Sequence, residues 1–250
     1  MRSRAVVTGV GLTAATGNDA KECWEGICTG RSGIRKNFLF DTKELLSEWA
    51  GLAQVEQCSQ IDRCFALANT AICEALADSK LIIDQIDSDR IGLVIGSSLG
   101  AMPSLEQAHR NFLEKGILDA KMMAGSLIHC VADYLAEKLG LRGPRALMSN
   151  ACAAGAIAVG YAIEQLWFGD ADVVICGGVD PLTELSSHGF TCLGALDTEP
   201  CSPLSASSGL TLGEGAGFLI LEKEENAKRR GATILAEISG YGTSCDGHHQ

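Results

Sequence analysis

The stretch that decides the fold is Gly143-Pro-Arg-Ala-Leu-Met-Ser-Asn-Ala-Cys-Ala-Ala-Gly-Ala-Ile-Ala-Val-Gly-Tyr-Ala-Ile-Glu-Gln-Leu-Trp167. Gly143-Pro144 reads as a turn, Arg145–Ser149 as a short strand, and Ala156–Trp167 as a buried helix. Cys152 then stands where a strand turns into a helix. The first N–H groups of a helix lack partners, and that end carries partial positive charge. A thiol placed there is biased toward thiolate, and the same N–H groups suit an oxyanion. Ala151, Ala153, Ala154 and Gly155 are small enough to let a thioester approach the backbone. The plain alternative is an inert small hydrophobe, the usual role of a buried cysteine.

Working outward, Ala5–Val10, Ile91–Ile95, Val173–Cys176, Gly217–Leu221 and Thr233–Ser239 are short, mostly apolar runs that predict strands. Helices are expected from Asn18 or Asp19 to Thr29, over Ile61–Ser79, Ser104–Lys115, Ser126–Leu139 and Thr183–Phe190. A charged surface helix is expected over Glu222–Arg230. Gly11–Gly17 reads as a loop, and residues 34–58 as loop with one short helix near Lys43–Trp49. Strands alternate with helices, which predicts a single α/β domain over 1–250, with a central sheet covered on both faces.

Composition removes several classes. The 250 residues can bury a large core. The net charge of −11, without clustered Lys and Arg, argues against nucleic acid. The 11 cysteines are scattered, with no Cys-x-x-Cys pair and no His-rich spacing, so neither a zinc site nor a disulfide framework is expected. A reducing cytoplasm fits. The N-terminus lacks the apolar core of a secretory leader. Ala146–Leu166 carries a single charge, Glu164, but its polar residues, its glycines and its few Leu or Ile make membrane insertion poor. No metal, cofactor, nucleic acid or membrane is therefore expected. Gly9, Gly11 and Gly17 have the wrong spacing for a dinucleotide loop. Gly213-Glu-Gly-Ala-Gly217 precedes a strand rather than opening a helix, so close backbone packing is its expected use. No spacing identifies an acid or base partner for Cys152.

The chain resembles the N-terminal half of a β-ketoacyl-acyl-carrier-protein synthase of the Cys-His-His type. The residues that carry this run in order: Val6-Val-Thr-Gly-Val-Gly11, Cys23-Trp-Glu-Gly26, Gly30-Arg-Ser-Gly-Ile34, Ile91-Gly-Leu-Val-Ile-Gly-Ser97 and Gly140-Leu-Arg-Gly-Pro144. They continue through Asn150-Ala-Cys-Ala-Ala-Gly155, Gly169-Asp-Ala-Asp-Val-Val-Ile-Cys-Gly-Gly178, Leu212-Gly-Glu-Gly-Ala-Gly217 and Ala227-Lys-Arg-Arg-Gly-Ala232. Each is weak alone; their order makes the signal specific.

The resemblance implies a thiolase-like fold with a mixed central sheet, and decarboxylative condensation in fatty acid or polyketide synthesis. Cys152 matches the family's nucleophile, which takes an acyl group from an acyl carrier protein or acyl-coenzyme A. Its N–H matches one half of the oxyanion hole. Leu99 and Phe190 fall where the family lines its acyl pocket. His129 and Asp133 replace small or amide residues in the helix lining the dimer-side pocket. The strand Val173–Cys176 falls where family members pair across a dimer axis, as a homodimer or a heterodimer with a synthase subunit. A non-catalytic partner of the chain-length-factor kind is the alternative, against which the retained Cys152 speaks.

The departures matter too. The family's malonyl-binding histidines, a lysine and the second oxyanion donor lie in its C-terminal half, past Gln250. His249 matches a different histidine. By resemblance the chain alone self-acylates at most, and exposes apolar surface where the second half packs. The basic cluster of bacterial relatives is absent from Gln54-Val-Glu-Gln-Cys-Ser-Gln60, before Ile61-Asp62, and an arginine that often precedes a proline is here Ser202. Fewer cations imply weaker docking of an acidic carrier protein.

Overall fold

Ile91, Leu93 and Ile95 pack on one side of their strand and Val94 on the other, and all are buried. A strand buried on both faces needs cover above and below. The computed structural model, which describes residues 3–55, 62–205, 208–245 and 247, provides it. The elements are β1 (Ala5–Ala14), α1 (Ala20–Cys28), β2 (Ile34–Lys36), β3 (Trp49–Gly51), α2 (Arg63–Ser79), β4 (Ile91–Gly96), α3 (Met102–Lys115) and α4 (Ala120–Gly125). They continue with α5 (Cys130–Leu139), β5 (Arg145–Met148), α6 (Ala154–Phe168), β6 (Val173–Asp180), α7 (Glu184–Cys192), β7 (Gly215–Lys223), α8 (Glu224–Arg229) and β8 (Ala236–Ile238). Most of the strands form one sheet, in the order β5-β4-β6-β7-β1-β8. β4 is parallel to β5 and β6, while β7 is antiparallel to β6 and β1, and β8 to β1. The sheet is therefore mixed, as expected.

One face is covered by α2 and α5. Leu67, Ala71, Ile72, Ala75 and Leu135 pack with Leu93, Ile175, Phe218 and Ile220. The other face carries α6, whose Ala158, Ala162, Ile163 and Leu166 meet Val7, Val94, Val174, Cys176 and Leu221. Ala151–Phe168 is long and apolar enough to cross a membrane by composition alone. Its buried side is a layer of this core. The glycines of β1 set how closely α2 approaches. A Cβ on Gly9 would lie 2.2 Å from the Ala75 carbonyl oxygen, and one on Gly11 1.9 Å from that of Ala71.

Two buried ion pairs tie the layers. Arg63, at the start of α2, holds the Glu214 carboxylate through Nε (2.7 Å) and Nη2, and Glu214 also accepts from the N–H groups of Ala53 and Leu182. The Glu214 side chain is 0% exposed. Glu222 accepts from Arg230 Nε (2.9 Å), Arg230 Nη2 (2.6 Å) and the Thr8 hydroxyl. This corrects the reading of Glu222–Arg230 as a solvated helix: Glu222 is a buried strand residue, and the helix proper is α8.

Other expectations also change. Lys43–Trp49 is not helical. Asp41 accepts from the Lys43 N–H and Ser47 from the Trp49 N–H, local bonds that compete with a helix. Trp49–Gly51 instead pairs with β2, and the buried Ala50 and Leu52 pack with Leu182. The helix expected over Ser126–Leu139 starts only at Cys130, after a separate α4. β1 runs on through Gly11 to Ala14, because β7 pairs with it to the end. β6 cannot pair across a dimer axis, since β4 and β7 occupy both its edges. The free edge on that side is β5. The stretch 56–61 and His248 and His249 lie outside the described residues.

Three outcomes are expected. Gly11→Ala should destabilise by about 1–3 kcal/mol through overpacking against α2, whereas Gly125→Ala, with nothing within 4 Å of the added Cβ, should be neutral or better in urea denaturation. Glu214→Ala leaves a buried guanidinium and two N–H groups unpaired, and should cost about 3–5 kcal/mol. Arg90 and Lys223 hold the Asp172 carboxyl down to about 2. A depressed carboxyl stabilises above its unfolded value of 3.8 and loses that contribution as pH falls toward 2. Denaturation midpoints of the wild type and Asp172→Asn should therefore differ at neutral pH and converge across that acid range.

Candidate functional site

The site forms where the ends of β4 and β6 meet the start of α6. Small residues make this approach possible. A Cβ on Gly96 would fall 2.4 Å from the Ala154 carbonyl carbon, and one on Gly178 3.3 Å from Gly155 Cα. β5 delivers the chain through Ser149 and Asn150 into one 3-10 turn, Ala151–Ala153, that leads into α6. Ala151 has φ 47°, a left-handed conformation that is unfavourable for a residue with a Cβ. Cys152 follows and is exposed. The strand–turn–helix junction expected for Cys152 is present. The bonds at the junction run from Ala153 N to Asn150 O (3.1 Å) and from Ala154 N to Ala151 O, and neither uses the Cys152 N–H.

Cys152 lines an open hollow of about 350 Å³ together with Leu12, Thr13, Gly155, Asp180 and Gly215–Gly217. The walls are mainly backbone and small side chains. The Thr13 hydroxyl is buried there with no hydrogen-bond partner, a group that a water or a ligand atom would satisfy. Asp180, at the end of β6, accepts from Ser97 Oγ (2.8 Å), Ser98 N (2.9 Å) and Leu99 N (2.8 Å). It pins the loop after β4 beside the hollow. Sequence reading missed both Thr13 and Asp180. A polar residue closing each apolar strand was the available signal.

Burial separates the cysteines chemically. Desolvation pushes the thiols of Cys23, Cys64 and Cys176 up, and the charges of Asp62 and Asp180 add to this at Cys64. Those thiols stay protonated. Of the described cysteines, only Cys152 lines this hollow.

The remaining predicted residues lie apart from Cys152. Leu99 is half-buried and reaches the hollow only through its bond to Asp180. Phe190 is half-buried on α7, and His129 is exposed just before α5. None of the three lines the hollow. Ser202 lies in a turn beside Ser205. Phe112, Leu113, Ile117, Leu118 and Leu127 are exposed on and beside α3 and α4.

Comparison with known proteins agrees with this architecture. Residues 49–227 match the family described as beta-ketoacyl synthase, N-terminal domain. The chain is similar to 3-oxoacyl-[acyl-carrier-protein] synthase 2 of Vibrio cholerae, with 34% identity over 99% of this chain and 64% of that protein. It also resembles the solved ishigamide ketosynthase/chain length factor (TM-score 0.92, 28% identity, 100% of this chain and 65% of that one). A further likeness is to a ketosynthase solved with its type II polyketide acyl-carrier protein (TM-score 0.88, 29% identity, 100% and 65%). The chain thus spans under two thirds of the length of these relatives. With its thiolase-like sheet and this order of motifs, the chain belongs to the β-ketoacyl synthase family and corresponds to its N-terminal half.

Proposed function

We propose that this chain carries the acyl-accepting half of a β-ketoacyl synthase, with Cys152 as nucleophile. The observation that carries the reading is the exposed Cys152 at a strained strand-to-helix junction, opening into a hollow of small residues. Cys152 Sγ attacks the thioester carbonyl of an acyl donor. The oxyanion is met by the Cys152 N–H, and the carrier sulfur leaves as the carbonyl reforms, its thiolate taking up one proton in balance with the one the Cys152 thiol gave up. Leu99 and Phe190 are proposed to line the acyl chain's path. Decarboxylative condensation with a malonyl thioester needs the histidines that the family carries in the part these residues do not span.

The donor is proposed to be an acyl carrier protein or acyl-coenzyme A, supported by the Vibrio cholerae relative's name and by the ketosynthase solved with its carrier. A homodimer or heterodimer is proposed to form through the free edge of β5. Free thiols at every described cysteine suit a cytoplasmic setting. The second reading, a chain-length-factor-like partner, draws on the likeness to the ketosynthase/chain length factor structure.

Incubation with acyl-carrier protein or acyl-coenzyme A, followed by intact mass, tests the assignment. One acyl adduct is expected on the wild type and none on Cys152→Ala. An adduct that survives in Cys152→Ala would overturn the nucleophile. No adduct in either, with co-purification of a full-length synthase, would favour the partner reading.

A further inference from the structure

We propose that His129, Cys130 and Asp133 form a binding site for one borderline-soft divalent cation of the zinc class. The His129 ring nitrogen, Cys130 Sγ and an Asp133 carboxylate oxygen all lie within 4.8 Å of one another. His129 Nε2 and Asp133 Oδ2 are 3.7 Å apart. Ligand atoms around a tetrahedral zinc lie about 3.3–3.8 Å apart, from bond lengths of about 2.0–2.3 Å. Closing the set therefore takes about an ångström of side-chain rotation. His129 is 60% and Asp133 45% exposed, so both can make that movement.

The chemistry of the three donors fits. Imidazole, thiolate and carboxylate are the zinc ligand types, and three protein ligands leave a fourth position for water. His129 and Asp133 are four residues apart on one helical face. Arg145 Nε holds Asp133 Oδ1 at 3.1 Å and leaves Oδ2 toward His129. An outer partner of this kind orients a ligating carboxylate. The Cys130 thiol donates to the Ala124 carbonyl at 3.3 Å. On binding, that thiol releases its proton to solvent and the sulfur becomes the thiolate ligand. A scan for Cys-x-x-Cys passes over His-Cys-x-x-Asp.

The position gives such a site a consequence. Ile128, one residue before the cluster, abuts Gly100, where an added Cβ would meet Ile128 Cα at 3.0 Å. Gly100 donates to Ser97 Oγ in the loop that Asp180 pins beside the Cys152 hollow. A cation here would order the junction between α4 and α5 against that loop.

The test is titration of the chelator-treated chain with Co²⁺, read by thiolate-to-cobalt charge-transfer absorbance. A 1:1 endpoint reversed by Zn²⁺ is expected. The band should persist in Cys152→Ala and vanish in Cys130→Ser, and affinity should fall at least tenfold in His129→Gln and Asp133→Asn. All four variants should keep the wild-type circular dichroism. A band that survives Cys130→Ser, an affinity unmoved by His129→Gln, or the absence of any band at millimolar Co²⁺ would overturn the proposal.

Discussion

Everything about the site depends on how closely the start of α6 lies on the sheet. Gly96, Gly155 and Gly178 leave no side chain between the helix and the ends of β4 and β6. One methyl group on Gly96 would drive into the backbone at Ala154, and helix or strand would have to move. The turn before α6 is shaped by the same constraint. β5 ends and α6 begins within a few residues, so the chain reverses direction over Asn150–Ala153, with Ala151 in the left-handed region. Such strain persists only where packing on both sides fixes it. Here β5 fixes one side and the apolar face of α6 the other.

The buried ion pairs extend this rigidity to the opposite end of the hollow. Glu214 precedes β7, whose first residues, Gly215–Gly217, form a wall of the hollow. Its carboxylate collects donors from α2, from residue 53 and from residue 182, so three separate segments meet on one charge. A buried pair of this kind is weak as a source of net stability, because desolvation opposes the attraction. It is strong as a constraint, because any displacement leaves a charge without its partner. The register of β7 against β1 and β6 is set in the same way at its far end by Glu222 and Arg230.

Much of this was legible in the sequence, for identifiable reasons. Strands buried on both faces announce themselves as apolar runs, and the helix after Cys152 as a long apolar stretch, so the α/β layering and the junction at Cys152 could be read directly. What escaped depends on contacts between distant segments. Glu222 looked solvated because it adjoins charged neighbours in the chain, whereas its partners Thr8 and Arg230 are set by folding. Lys43–Trp49 read as a short helix and Ala50–Gly51 as loop, whereas the pairing of Trp49–Gly51 with Ile34–Lys36 supplies backbone bonds that no local pattern encodes. The place of β6 inside the sheet, and hence the free edge at β5, follows from strand order, which periodicity does not contain. Asp180 and Thr13 were missed for a related reason: each shows in the sequence only as one polar residue near a strand end, and its meaning comes from the loop or hollow it faces.

The hollow also constrains which chemistry it can host. Asp180 is the carboxylate in its wall, and it is already engaged by a hydroxyl and two backbone N–H groups. Moving it to accept a proton from Cys152 would release the loop it holds. The residues described here therefore supply no general base for a hydroxyl nucleophile, which would need one. A thiol is less demanding, because its ionised form is populated and strongly nucleophilic near neutral pH. What such a thiol needs is access, provided by the exposure of Cys152, and a donor for the oxyanion, available in an N–H that the turn's backbone bonds leave unused. The wall of glycine and alanine serves both, since it lets a thioester approach the backbone without a side chain intervening. In the role proposed for Cys152, the fold would contribute position and an N–H donor, while the reactivity would belong to sulfur.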